Sequence, residues 1–220
     1  MKRWMILSIC IMTLLSSATV ASAQECGPFC PVCSGSGRST GALVSPAAII
    51  PSFLYVPNGE EETGVINVRG GITSWLDVGV GYTIKAEKPI WSLRLQLLKE
   101  AESNWRPTVI IGTGSVQTGG SDQSVFIQLA KSWEFSEIFS VRVFTGAASL
   151  LPDVDRGYGL AGLTCTITDR WSPFVSYDGI NYHPGVSWIP TDWLTVSTVI
   201  VESKEPALAV AFRLSLISGN

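Results

Sequence analysis

Charge is scarce in this chain. Asp, Glu, Lys and Arg together make up 15 % of 220 residues, well under the roughly one quarter usual in soluble domains. Histidine is almost missing, with His183 the only one, so any histidine-dependent acid–base or nucleophile chemistry would have to use that residue. Basic runs are absent and the formal net charge is −3, which excludes nucleic acid as an expected partner. Long apolar runs are missing too, except at the start. Lys2 and Arg3, an apolar stretch from Met5 to Leu15 and the small residues ending at Ala23 have the form of a secretory signal, expected to occupy 1–23. Ser16, Ser17 and Thr19 interrupt that stretch, so it is too short for a membrane anchor. With no second run of that kind, a helical membrane protein is excluded.

What the chain has instead is alternation. From Trp75 onward, Leu76, Val78, Val80 and Tyr82 alternate with Asp77, Gly79 and Gly81, the period-2 pattern of a strand with two unlike faces. Trp91, Leu93, Leu95 and Leu97 likewise alternate with Ser92, Arg94 and Gln96, Val141 and Val143 with Ser140 and Arg142, and Leu208, Val210, Phe212 and Leu214 with Ala209, Ala211, Arg213 and Ser215. About twelve such segments, each of about nine to twelve residues, follow one another after Ala48, the length a tilted strand needs to cross a bilayer. The connections are of two kinds. One set is tight or capped by an aromatic ("TSW", "ESNWRP", "WEFSE", "TDRW", "TDW"); the other is polar and often longer ("PNGEEETG", "VQTGGSDQ", "YDGINYHP").

This pattern predicts an all-β fold, an up-and-down antiparallel transmembrane β-barrel of about twelve strands over 43–220, with the large apolar face toward lipid. A soluble barrel would turn the same residues inward, and a secreted barrel or sandwich acting as a binding module is the rival of another class. Export and the shortage of charge favour the cell outer membrane. The expected partners are outer-membrane lipid, the barrel-insertion machinery and, as candidates, polysaccharide or small anionic solutes. No cofactor and no metal are expected.

The candidate site is the polar face. Arg69, Asp77, Arg94, Gln96, Gln128, Arg142, Asp178 and Arg213 are predicted to point into the lumen, either lining a narrow passage biased toward anions or filling it with ion pairs. Trp75, Trp105, Trp133, Trp171 and Trp193 are predicted to form an interfacial girdle at the short-turn rim. Gly112 and Gly114 in "IIGTGSV" lack the helix and lysine of a phosphate loop and are expected as small lumen residues. His183 precedes Pro184 in a polar stretch and is expected in a solvated loop; the further alternative of a barrel enzyme acting on lipid would depend on it. Residues 24–42 are a Gly/Ser-rich lead-in carrying Cys26, Cys30 and Cys33. In an exported chain these are expected to pair as a disulfide rather than bind metal, since three thiols fall one ligand short of a closed structural site.

At "WRPTVIIGTGSV" (105–116) and "WSPFVSYDGINYHPGVSWIPTDWLTVS" (171–197) the chain resembles the YjbH-like outer-membrane barrels associated with exopolysaccharide production. Tyr177, Asp178, Gly179, Asn181, Gly185 and Val186 stand where that family has its "EYDG" strand end, a following Asn and the next strand. Ser176 replaces the family's acidic residue, and no terminal aromatic follows Leu216. The resemblance implies a non-catalytic barrel, structural or associated with export across the envelope.

Overall fold

The computed structural model describes residues 43–57, 63–101, 105–114, 123–151, 156–168 and 170–216. The predicted signal and the three N-terminal cysteines lie outside them. Twelve long strands follow in order: β1 (Ala48–Tyr55), β2 (Gly64–Thr73), β3 (Leu76–Thr83), β4 (Lys88–Leu98), β5 (Thr108–Gly114), β6 (Ser124–Ser136), β7 (Phe139–Leu150), β8 (Gly157–Ile167), β9 (Trp171–Tyr177), β10 (Tyr182–Thr191), β11 (Leu194–Val201) and β12 (Glu205–Phe212). A two-residue strand, β13 (Leu214–Ser215), continues β12 beyond Arg213. Each strand pairs with its sequence neighbours, and β12 pairs with β1 from Ser52↔Ala211 to Tyr55↔Leu208, closing a twelve-stranded antiparallel barrel. Closure leaves no free edge.

Alternation is what makes these segments strands, and burial follows it. Residues directly opposite in a ladder share a face, so Ile50↔Arg69, Asp77↔Arg94, Arg94↔Gly112 and Gly112↔Phe126 mark one continuous inner surface. That surface is buried, whereas Ile66, Val80, Trp91, Leu93, Ile127 and Leu208 on the opposite parity are exposed. A wall that shows its large apolar side chains to the outside and encloses its arginines is the inverse of a soluble barrel.

The two rims differ as the connections predict. Turns 74–75, 137–138, 168–170 and 192–193 are short, while 56–63, 115–123 and 151–156 on the other rim are longer. Connections 84–87, 178–181 and 202–204 on that second rim are short as well, and 99–107 is long although it lies on the short-turn rim. It faces the lower part of β6, which runs on to Ser136, past the end of its pairing with β5 at Ala130.

The interior is packed. Phe144 and Phe174 are each 1 % exposed. They lie over glycines of neighbouring strands, Gly162 and Gly185, where an added Cβ would collide with the ring. An aromatic laid over a facing glycine fills the wall without pushing the strands apart.

Candidate functional site: the polar interior

Arg69 on β2, Asp77 on β3 and Arg94 on β4 converge at the end of the barrel that carries the short turns. Adjacent antiparallel strands bring them together because all three share the inward parity. Asp77 is 0 % exposed, Arg69 2 % and Arg94 3 %. Arg69 Nη2 donates to both carboxylate oxygens at 3.0 Å, and Arg94 donates through Nε (2.9 Å) and Nη2 (2.5 Å). Arg94 therefore makes the planar two-point contact that guanidinium and carboxylate favour. A further donor, the Val44 backbone N–H, reaches Asp77 Oδ2 at 2.8 Å. Two guanidinium groups on one carboxylate leave a local charge of about +1 inside the wall, where low dielectric strengthens its reach.

The other predicted lumen residues are distributed around this cluster. Gln128 is buried on β6 opposite Ile110 and Gly146, and Gln96 is half-buried on β4. Arg142 on β7 donates to Ser132 Oγ (2.7 Å) and stands 3.6 Å from a Glu100 oxygen. Glu100 also meets Lys131 Nζ at 3.2 Å and accepts the Ser132 N–H at 2.7 Å. Sequence reasoning missed Glu100, because a glutamate in an irregular connection carries no periodicity to point it anywhere. Arg213 stands apart: it interrupts β12 and β13, is exposed, and donates to Ser45 Oγ at 3.0 Å.

Asp178 lies in the turn between β9 and β10 at the long-loop rim. Its Oδ1 accepts the Ile180 and Asn181 N–H groups at 3.0 and 2.8 Å, and Oδ2 faces His183 Nε2 at 3.1 Å. His183 corrects a sequence expectation. It is not a solvated loop residue but sits on β10, 2 % exposed, opposite Ser176. The turn is only 178–181, held short by the Asp178 carboxylate, so the strand begins one residue before the histidine. Its Nδ1 accepts the Glu202 N–H at 3.1 Å, which leaves the ring proton on Nε2 to donate to Asp178. Both nitrogens are thus engaged.

The five predicted girdle tryptophans all lie at the short-turn rim, in turns or at strand ends. Trp105 packs edge-on to Trp133 (6.0 Å between centroids), Trp171 stacks on Trp188 (6.0 Å) and Trp193 on Phe212 (6.2 Å). Trp188, absent from the prediction, joins them because it pairs directly with Trp171.

No family model matches the chain, and a search of curated protein sequences gives no match. Solved structures do match. The chain is similar to the KdgM porin (TM-score 0.52, 11 % identity, 76 % of this chain and 98 % of that one). It is also similar to the KdgM porin in complex with disordered oligogalacturonate (TM-score 0.53, 10 % identity, with the same coverage). The COG4313 outer membrane channel from Pseudomonas putida F1 matches at a TM-score of 0.45 and 13 % identity over 78 % of this chain and 96 % of that one. At these identities the likeness is one of fold: a closed twelve-stranded antiparallel barrel of the kind seen in outer-membrane porins.

Proposed function

We propose that this chain is a non-enzymatic outer-membrane β-barrel whose interior forms a narrow, arginine-lined passage for small anionic solutes. The observation that carries it is the Arg69–Asp77–Arg94 cluster, net positive and enclosed by a wall whose outside is apolar. A bilayer accommodates that outside, and a ring of guanidinium groups inside would favour anions. The porin-like fold supports the same reading, and the engagement of both His183 nitrogens argues against a lipid-cleaving role. Planar-bilayer recordings are the test: small anion-preferring conductance steps, weakened by Arg94→Gln, are expected, and cation preference would overturn it.

A second reading, an accessory barrel for exopolysaccharide export, is favoured by the tightly packed interior and by the resemblance at 171–197. It predicts no conductance under any condition, together with a loss of surface polysaccharide when the chain is deleted from its host.

A further inference from the structure

Residues 43–46 precede β1 and do not belong to the wall. Ala47, at φ 56°, turns the chain, and Pro46 makes a parallel bridge to Gly71 instead of extending β1. The segment ahead of it runs inside the barrel. Val44 is buried with Ala48, Ile50 and Ala211 on the β12–β1 side. Leu43 packs against the cluster of Ile110, Phe126, Phe144 and Leu160 on β5–β8. In a ring of twelve strands β5–β8 face β12 and β1 from across the interior, so two consecutive residues touch opposite walls. The segment crosses the lumen.

The wall is shaped to receive it. A Cβ at Gly71 would collide with the Ser45 carbonyl oxygen and stand 2.5 Å from that of Val44, so only glycine lets the segment lie this close. The Asp77 carboxylate then takes the Val44 N–H at 2.8 Å alongside its two arginines. This is a single contact to the backbone, and its loss would leave the Arg69–Asp77–Arg94 contacts in place.

We propose that residues 43–45 are a removable plug, seated on Gly71 and Asp77, whose withdrawal exposes Arg69 and Arg94 as the charged lining of the passage. The proposal rests on the pore reading above and adds what closes that pore. The test uses the full mature chain with its cysteines replaced and a single Val44→Cys reporter. In this parent a water-soluble thiol reagent should react slowly. Adding Gly71→Val should speed labelling by about tenfold or more, as expected when a locally closed segment is forced open, and should raise anion conductance. Heat-modifiable gel mobility establishes that the variant is folded. A second variant, with Leu43 and Val44 both changed to Gly, removes the anchors without touching the wall and should conduct similarly. Equal labelling in parent and Gly71→Val chains would overturn the plug. So would a parent that already conducts as well as both variants, in which case the pore reading stands. If neither variant conducts although labelling shows the segment released, the pore reading falls and the plug with it.

Discussion

His183 Nε2 meets Asp178 Oδ2 at 3.1 Å while His183 Nδ1 takes the Glu202 N–H, so one buried ring ties the β9–β10 turn to the β11–β12 turn. Burial pushes the Asp178 carboxyl up, but hydrogen bonds from His183, Asn181 and Ile180 outweigh it and hold the group below its ordinary value. A carboxyl lowered on folding stabilises above its unfolded value of about 3.9 and loses that contribution as pH falls through the lower folded value. The bonds that this carboxylate accepts from Ile180 and Asn181 should therefore persist through neutral and mildly acidic pH and weaken only below the usual carboxylate range. Asp178→Asn should cost about 1.5–3 kcal/mol, the worth of hydrogen bonds to a charged group. Hydrogen exchange at Ile180, Asn181 and Glu202 should speed up with no change around Asp77.

The Arg69–Asp77–Arg94 cluster makes a prediction of opposite character. Asp77→Asn leaves two buried guanidinium groups facing no anion and should destabilise by about 3–5 kcal/mol. Replacing all three at once, with Met for each arginine and Leu for Asp77, removes the charges together and should cost less than the single change. Denaturant unfolding of the refolded barrel, followed by tryptophan fluorescence, compares the two. A triple variant weaker than Asp77→Asn would mean that the cluster stabilises by more than mutual neutralisation.

The outer face is testable by depth. Ile127→Arg, opposite Ile111 at the centre of β5, should cost about 2–4 kcal/mol if it faces the bilayer midplane. Fluorophores attached through single cysteines at Val80 and Ile127 should be quenched by a lipid-borne quencher, and those at Ser92 and Gln128 should not. No quenching at Val80 or Ile127 would revive the secreted binding module.

Packing across the inner wall should show coupling. Gly162→Ala places a methyl against the Phe144 ring and should cost about 1–3 kcal/mol through overpacking, while Phe144→Ala should cost about 3–5. Because the two side chains would contend for the same space, Gly162→Ala should cost less once Phe144 is gone, the close approach to the Val175 carbonyl oxygen remaining. Additive effects in the double-mutant cycle would separate the pair.

Most of the wall was legible in the sequence, because outward positions on most strands are large and apolar while the inward ones mix small, polar and charged residues with a few large apolar ones such as Ile110, Phe144 and Phe174. Asp77 and Arg94 fell on one face by parity alone, and their contact follows from a strand register that short turns fix. What parity cannot carry is anything set by irregular backbone. The four-residue turn that draws His183 onto a strand depends on the Asp178 side chain. Glu100 reaches Arg142 from a connection with no period. The inward run of Leu43 and Val44 depends on a left-handed residue at Ala47 and on space left at Gly71. Arg213 kept its place in the alternation, yet it stands at the break between β12 and β13, exposed and bonded to Ser45.

The ladder between β1 and β12 has a consequence for how the molecule is made. Apart from the ladders of β1 to β12 and β13, the strand pairings join neighbours in sequence and can form as soon as each hairpin exists, whereas Tyr55 must find Leu208 across all the strands between. This seam covers only Ser52 to Tyr55, with Ala48 and Ile49 handed on to β13. It is expected to zip last, since distant partners bear the largest loop-closure cost. Until it does, the nascent sheet carries two bare edges, each able to recruit a strand from another copy.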